Sequence, residues 1–460
     1  MVFPSFIFLF AFLPTFLALY YALPVTFRNL WLFLASIVFY GWEKPEWVLI
    51  MLFSTVMDYT FALLMGAKEE NRPHRKLWMI ASVVANLLLL GWFKYANLFV
   101  HTAENLTGSH WGWSDIVLPV GISFYTFQSM SYTIDVYWGQ VPPTRSFIGF
   151  ACYVTMFPQL VAGPIVRYRD VIEQVATRVH SWHLFSNGVL FFMIGMVKKV
   201  MVADAVEPLA RAGFAMDHAG ALPVWTALVA YSIQIYFDFS AYSDMAVGLG
   251  HMTGFTFVRN FDSPYQSLSI TESWRRWHIS LSTWLRDYLY VPLGGNRHGE
   301  WQTYRNLMLT MLLGGIWHGA NWPFLCWGAY QGVWLSLERW NGRKALHAGL
   351  PRPLQMLCTY LIFTFGWSMF VARDFTHLGD LWQSLFGVHG FGSVLQVPTD
   401  TMRGYVMLFV GLFVALCLPN SWALLRKPPL WLIVVLALGF FVSVCHLLAT
   451  DYIPFIYFQF

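Results

Sequence analysis

Leu312-Leu-Gly-Gly-Ile-Trp-His-Gly-Ala-Asn321 closes an apolar stretch that begins near residue 303. The stretch is long enough to approach a bilayer span, yet it ends on a histidine ringed by Gly314, Gly315 and Gly319. An ionisable side chain at hydrocarbon depth is costly and faces a cavity or another polar group. The segment therefore predicts a helical membrane protein with a polar interior. A second histidine, His278, stands upstream in Ser273-Trp-Arg-Arg-Trp-His-Ile-Ser-Leu-Ser282.

The rest of the chain supports a membrane reading. Of 460 residues, 57% are hydrophobic and 11% charged, far below the ~25% charge of soluble domains. Aromatics reach 19%, so Trp and Tyr are available for interfacial belts. The net charge of +4 comes without a long basic run, so nucleic-acid binding has no support. Five cysteines (Cys152, Cys326, Cys358, Cys417 and Cys445) lie in apolar stretches and read as small hydrophobes, not a disulfide framework. The first apolar run lacks a basic lead-in and a clear small-residue cleavage site, so it is expected to stay as a membrane helix.

Apolar stretches suited to a bilayer run over 5–23, 27–42, 47–66, 77–99, 145–165, 184–205, 223–250, 303–320, 322–338, 354–372, 403–419 and 429–449. Two places read as broken or re-entrant: 116–138, with Leu118-Pro-Val-Gly-Ile-Ser-Phe-Tyr-Thr-Phe-Gln128, and Phe157-Pro-Gln-Leu-Val-Ala-Gly-Pro164. Non-helical backbone at membrane depth survives only where protein or a wet cavity satisfies it. The loop Lys68–Lys76 carries four basic residues, whereas His101–Asp115 holds no Lys or Arg. Basic residues gather on the cytoplasmic side, so the first loop is expected inside the cell and the second outside. No internal repeat or linker divides the chain, and one membrane domain is expected over 1–460.

Segment 269–290 differs. Ser269-Ile-Thr-Glu272 is a capping-box pattern that starts a helix. Trp274, Trp277, Leu281, Trp284, Leu285 and Tyr288 then recur at helical spacing among Arg275, Arg276, Arg286 and Asp287. A basic, Trp-rich amphipathic helix reads as interfacial or as the lining of a funnel. His278 and Ser282 share one face.

Three constellations can carry chemistry. Imidazole titrates near neutral pH, and a general base beside a hydroxyl is what acyl transfer to an alcohol requires. His318 fits that role; its bland alternative is a bond to a neighbouring helix. His278 is either a partner in the chemistry or an interfacial headgroup contact. Gln234, Asp238 and Tyr242 share a helix face, with Asp244 nearby; they either meet substrate, orient a histidine or form a buried network that ties helices. Lys198, Lys199, Arg167 and Arg169 read as snorkelling cations at segment ends, with contact to the phosphates of a donor as the alternative. No zinc-protease, Cys-x-x-Cys, P-loop or dinucleotide pattern occurs, and His180-Ser-Trp-His183 alone is weak metal evidence; no metal is expected.

These stretches resemble the membrane-bound O-acyltransferase family, in its polysaccharide-acetylating branch. The resemblance rests on 118–128, Tyr236-Phe-Asp-Phe-Ser-Ala-Tyr-Ser-Asp-Met245, 274–288, Gly294-Gly-Asn-Arg297 and Gly314-Gly-Ile-Trp-His-Gly-Ala-Asn321, and runs to about residue 340. It implies an all-α polytopic integral membrane protein of about 11 transmembrane helices, with re-entrant and interfacial helices around a funnel. It implies that His318 matches the essential histidine and His278 the second one. Trp317, Asn321, Ser282, Arg286 and Asp238 are the candidate substrate contacts. No cofactor is expected to be bound. Acetyl-CoA would be the cytoplasmic donor, and the acetyl group would pass towards a periplasmic exopolysaccharide, cellulose or alginate, through a periplasmic acetyltransferase or carrier. Length favours the cellulose type. The place would be a bacterial inner membrane. Rivals are D-alanyl or protein acyl transfer within the same family, and a transporter without acyl chemistry, whose broken helices look alike.

Overall fold

The computed structural model describes residues 1–66, 74–397, 401–449 and 455–456. The regular elements among those residues are all helices, without a strand. Four helices are long and apolar enough to cross a bilayer by length and composition: Glu46–Gly66, Arg75–Thr107, Arg352–Val371 and Leu430–Ala449. Shorter apolar helices accompany them. Large side chains such as Leu88, Phe409 and Leu438 point outward on these helices, as lipid-facing positions do. Of the basic loop Lys68–Lys76, on which the orientation rests, 68–73 fall outside the described residues.

The chain packs as two compact units. The first comprises Met1–Phe192, Met245–Val258 and Leu447–Tyr452. Its centre is α1 (Ile122–Trp138), which is buried along nearly its whole length. The segment before it is non-helical, and Gly121 sets the start. Gly121 has φ +77°, and a Cβ there would stand 2.8 Å from the Leu160 carbonyl oxygen. The break expected over 116–138 is thus an irregular lead-in followed by one continuous helix. The break at 157–164 is also present: a helix ends at Thr155, one turn spans Phe157–Leu160, and the chain then runs irregular and buried to Val166. Protein groups satisfy this backbone. Ser36 Oγ accepts from the Phe157 amide at 2.9 Å, and Tyr153 donates to the Val166 carbonyl at 3.0 Å. Asp58 accepts from Ser82 and Asn86, and Ser82 meets Thr133, so a polar cluster ties three helices of this unit.

The second unit comprises Met193–Asp244, Arg259–His446 and Ile453–Phe460. Both histidines belong to it. Its helices include α2 (Ala221–Met252, which continues into the first unit), α3 (Ile270–Arg276), α4 (Ile279–Leu285), α5 (Glu300–His318), α6 (Trp322–Trp340), α7 (Arg352–Val371) and α8 (Phe375–Leu385). α5 and α6 form an antiparallel hairpin around Gly319-Ala-Asn321. Glycines set its closeness: a Cβ on Gly315 would lie 2.4 Å from the Phe324 carbonyl oxygen, and one on Gly328 2.4 Å from that of Met311. Small residues let backbones approach in a membrane.

Candidate active site

The segment 269–290 folds as three pieces, not one amphipathic helix. Ser269 caps α3 as expected, its Oγ accepting from the Glu272 amide at 3.0 Å. The Glu272 carboxylate accepts from the Leu268 amide, one residue earlier than in a closed capping box. α3 stops at Arg276, Trp277 is extended, and His278 adopts φ +43°, ψ 55° before α4 begins. A helix-period pattern runs unbroken across this point, so periodicity could not reveal it. The unit also buries the segment: Trp277, Leu281, Trp284 and Leu285 are all inside. Its apolar face packs against protein, while Arg275 and Arg286 stay exposed.

A non-glycine residue in the left-handed region costs roughly 1–2 kcal/mol. Asn260 offsets that cost. Its Oδ1 accepts from the Ser280 amide at 3.2 Å, from Ser280 Oγ at 2.9 Å and from His278 Nδ1 at 3.1 Å. Its backbone carbonyl accepts from the Ile279 amide, and its Nδ2 donates to Ser243. Because Oδ1 can only accept, the proton of neutral His278 sits on Nδ1 and the basic lone pair on Nε2. The ring is fully buried, edge-on to Phe239 at 4.6 Å between centroids. Asn260 had no mark in the sequence: it is one polar residue in a loop, 18 positions from its histidine.

His318 is the last residue of α5 and is 5% exposed. Aromatic rings wall it: Trp317 at 5.0 Å, Trp327 at 5.1 Å and Phe370 at 5.4 Å between centroids. Gly315 and Gly319 make room for protein and leave no gap for a substrate at those positions. Gly315 faces α6, and a Cβ on Gly319 would meet the Phe324 ring at 2.1 Å. Trp317 also approaches His278, at 6.2 Å. One indole thus stands beside both imidazoles. A second aromatic path joins them, from Trp277 through Trp367 to Trp327. Rings of this kind exclude water, and a dry site strengthens any electrostatic contact made within it.

The remaining expected contacts divide. Ser282 Oγ donates to the Trp277 carbonyl and its amide to that of His278, so it shapes the histidine turn. Asn321 stands at the first position before α6 without a side-chain cap, and its Nδ2 donates instead to the carbonyls of Ala372 and Arg373, fixing the end of α7. Arg286 is largely exposed and pairs with Asp287 at 2.7 Å. Asp238 is committed elsewhere. Lys199 bridges Asp238 at 2.9 Å and Asp204 at 2.7 Å, and the Ile456 amide donates to the second Asp238 oxygen. Lys198 pairs with Asp244 at 2.8 Å, and Ser421 donates to the same carboxylate oxygen. The snorkelling reading of the two lysines is corrected: Lys199 is buried in an ion cluster. Asp238 and Asp244 fit the helix-tying network.

A cavity of about 420 Å³ lies in the same unit, lined in part by Gln234, Arg211, Glu207, Val371, Arg373 and His377. Val371 follows Phe370, the ring against His318. The cavity falls within the range of small-molecule sites and is lined by charged and amide groups. Sequence reading singled out only Gln234 of this set.

Comparison with known proteins bears on the chemistry. The model of the membrane-bound O-acyltransferase family matches residues 141–344, which include both histidines. The probable alginate O-acetylase AlgI of Pseudomonas aeruginosa is 46% identical over 90% of this chain and 82% of its own length. The Pseudomonas putida protein of the same name is 41% identical over the whole of both chains. The peptidoglycan O-acetyltransferase of Helicobacter pylori is 33% identical over 99% of this chain and 96% of its own.

Proposed function

This chain belongs to the membrane-bound O-acyltransferase family, and from that premise we propose that it acetylates an exopolysaccharide of the alginate type. The observation that carries this reading is the pair of buried histidines set against one tryptophan, within a chain alike end to end to a probable alginate O-acetylase. The likeness to that name outweighs the cellulose-type acceptor that length alone favours.

The donor is acetyl-CoA, reaching the site from the cytoplasm. His318 takes the proton of an acceptor hydroxyl as its oxygen attacks the thioester carbonyl carbon. The tetrahedral adduct collapses, the carbon–sulfur bond breaks, and the CoA thiolate leaves and recovers a proton from the histidine. His278, fixed by Asn260, orients or polarises the thioester, or relays the proton. The acceptor side opens through the cavity near Arg373, where a periplasmic acetyltransferase or carrier protein collects the acetyl group for the polymer. The membrane is then the bacterial inner membrane, with the loop Lys68–Lys76 cytoplasmic and His101–Asp115 periplasmic.

Sealed vesicles of opposite orientation test this. With radiolabelled acetyl-CoA outside, vesicles exposing the cytoplasmic face should release CoA and label the partner or polymer, and right-side-out vesicles should not. Donor turnover only in right-side-out vesicles would overturn the route, and no turnover in either, with well-expressed protein and acceptor present, would overturn the function. An unlabelled alginate beside a labelled peptidoglycan would move the acceptor to that of the Helicobacter pylori relative.

A further inference from the structure

Three residues remote in sequence meet on the second unit. His218 follows the helix Asp204–Phe214, Asp380 lies on α8, and His389 lies in the loop after it. One nitrogen or oxygen from each lies within 4.8 Å of the others. His218 Nδ1 stands 2.6 Å from Asp380 Oδ1, and His389 Nε2 stands 3.4 Å from the same oxygen. The rings of the two histidines are 5.0 Å apart. None of the three is used by the acyl-transfer site.

We propose that His218, Asp380 and His389 form a binding site for a divalent first-row transition ion, zinc. The inference does not depend on the acetylation reading. Two imidazoles and one carboxylate are a borderline donor set that suits zinc and not calcium or magnesium, which want oxygen cages. Zinc bonds of ~2.0–2.2 Å in a tetrahedron put neighbouring donors about 3.3 Å apart, close to the 3.4 Å between His389 and Asp380. The shorter His218–Asp380 separation is a hydrogen bond that small side-chain rotations open. Exposure of His218 leaves the fourth position to water or another ligand.

The surroundings are built for a fixed geometry. The His218 amide donates to Asp380 Oδ2 at 3.0 Å, which orients the carboxylate and leaves Oδ1 towards the two rings. The two loops are strapped to each other. The Ala221 and Leu222 amides donate to the carbonyls of Gly390 and Phe391, at 2.9 Å each. Gly220 and Gly392 touch backbone to backbone, where a Cβ on Gly220 would sit 2.4 Å from the Gly392 nitrogen. Trp225 donates to the Leu385 carbonyl, and His377 reaches the Phe214 carbonyl. His218 itself has φ +50°, a conformation that a ligand can help to hold. The ion would clamp both loops to α8, just beyond the Ala372–Arg373 turn that Asn321 fixes.

Full-length protein purified in detergent, stripped with a chelator and dialysed against Zn²⁺ alone, gives the test. About one tightly held zinc per chain is expected, with a rise in unfolding temperature that Mg²⁺ does not produce. Asp380→Asn and His389→Ala should weaken zinc binding by about tenfold or more and abolish the thermal shift, while His183→Ala keeps both. Co²⁺ should give visible absorption bands in the wild-type protein that Asp380→Asn lacks, a readout that needs no variant to be as stable as the parent. Zinc uptake no greater than that of Asp380→Asn, equal loss in His183→Ala, or a wild-type protein without cobalt bands would overturn the proposal.

Discussion

Two groups of buried ionisable residues in the second unit are treated in opposite ways. Around Lys198 and Lys199, charge meets charge: Lys199 lies between Asp204 and Asp238, and Lys198 sits on Asp244 with Ser421. Around His278 and His318 the walls are aromatic rings, and His278 Nδ1 meets the neutral side-chain amide of Asn260. A buried carboxylate or ammonium needs an opposite charge. An imidazole can be buried neutral and still exchange a proton. The first arrangement fixes helices, and the second holds two imidazoles among rings that exclude water. Burial alone therefore does not separate the two groups; the kind of neighbour does.

The sharpest way to break the comparison is to remove one member of each group. His318→Ala should insert and accumulate normally yet lose about 10²–10⁴-fold in acetyl transfer, the range of general-base assistance. Transfer is measured per unit of folded protein in the same membranes, because lost protein mimics lost chemistry. Substantial transfer by well-expressed His318→Ala would move the base elsewhere, and inactivity of His278→Ala alone would exchange the two roles. Lys199→Met should do the reverse. It leaves Asp204 and Asp238 facing each other without their cation, at a cost of roughly 3–5 kcal/mol. Little folded protein is expected, with near-normal activity in what survives. A stable, abundant, inactive Lys199→Met would mean that the cluster takes part in catalysis.

Asn260 tests the border between the two groups, because it is a positioning residue that touches neither charge. Asn260→Ala removes the acceptor of three buried donors and should cost about 1–3 kcal/mol. If the amide fixes the His278 tautomer, kcat should fall more than KM rises, and Asn260→Asp, which keeps the acceptor, should recover part of the rate. Equal loss in both variants, tracking loss of folded protein, would reduce Asn260 to a structural role.

The sequence was legible where chemistry is local. The ends of α5 and α6 fall within about three residues of the expected spans, because glycine and proline punctuate them (Gly319, Pro323). His278 and His318 were found because a titratable group in an apolar run is conspicuous. What stayed hidden depends on partners far along the chain. The Lys199–Asp204 spacing of five residues spans a π-turn and has no ordinary helical register, and Asp238 lies another 34 positions on. His218 and His389 meet only through the pairing of two loops. The left-handed turn at His278 is imposed by Asn260 and by packing, against a local pattern that favours unbroken helix.

The smallest expected effect concerns the start of that same turn. Ser269→Ala removes the oxygen that accepts from the Glu272 amide, a cap worth about 1 kcal/mol. Glu272 still accepts from the Leu268 amide and pairs with Arg276 at 2.6 Å, and Glu338 still accepts from the Ile270 and Thr271 amides. The first turn of α3 thus keeps most of its partners, and activity should fall by less than threefold with a slightly lower unfolding temperature. Glu338→Ala at the same helix end leaves the buried Ile270 amide and the half-buried Thr271 amide without that acceptor and should cost more, about 1–3 kcal/mol. A double variant with the cost of Glu338→Ala alone would show that the helix start is already lost in that single variant. A cost equal to the two single effects would show independent caps, and only in that case does α3 hold its register up to Trp277 when either cap is removed.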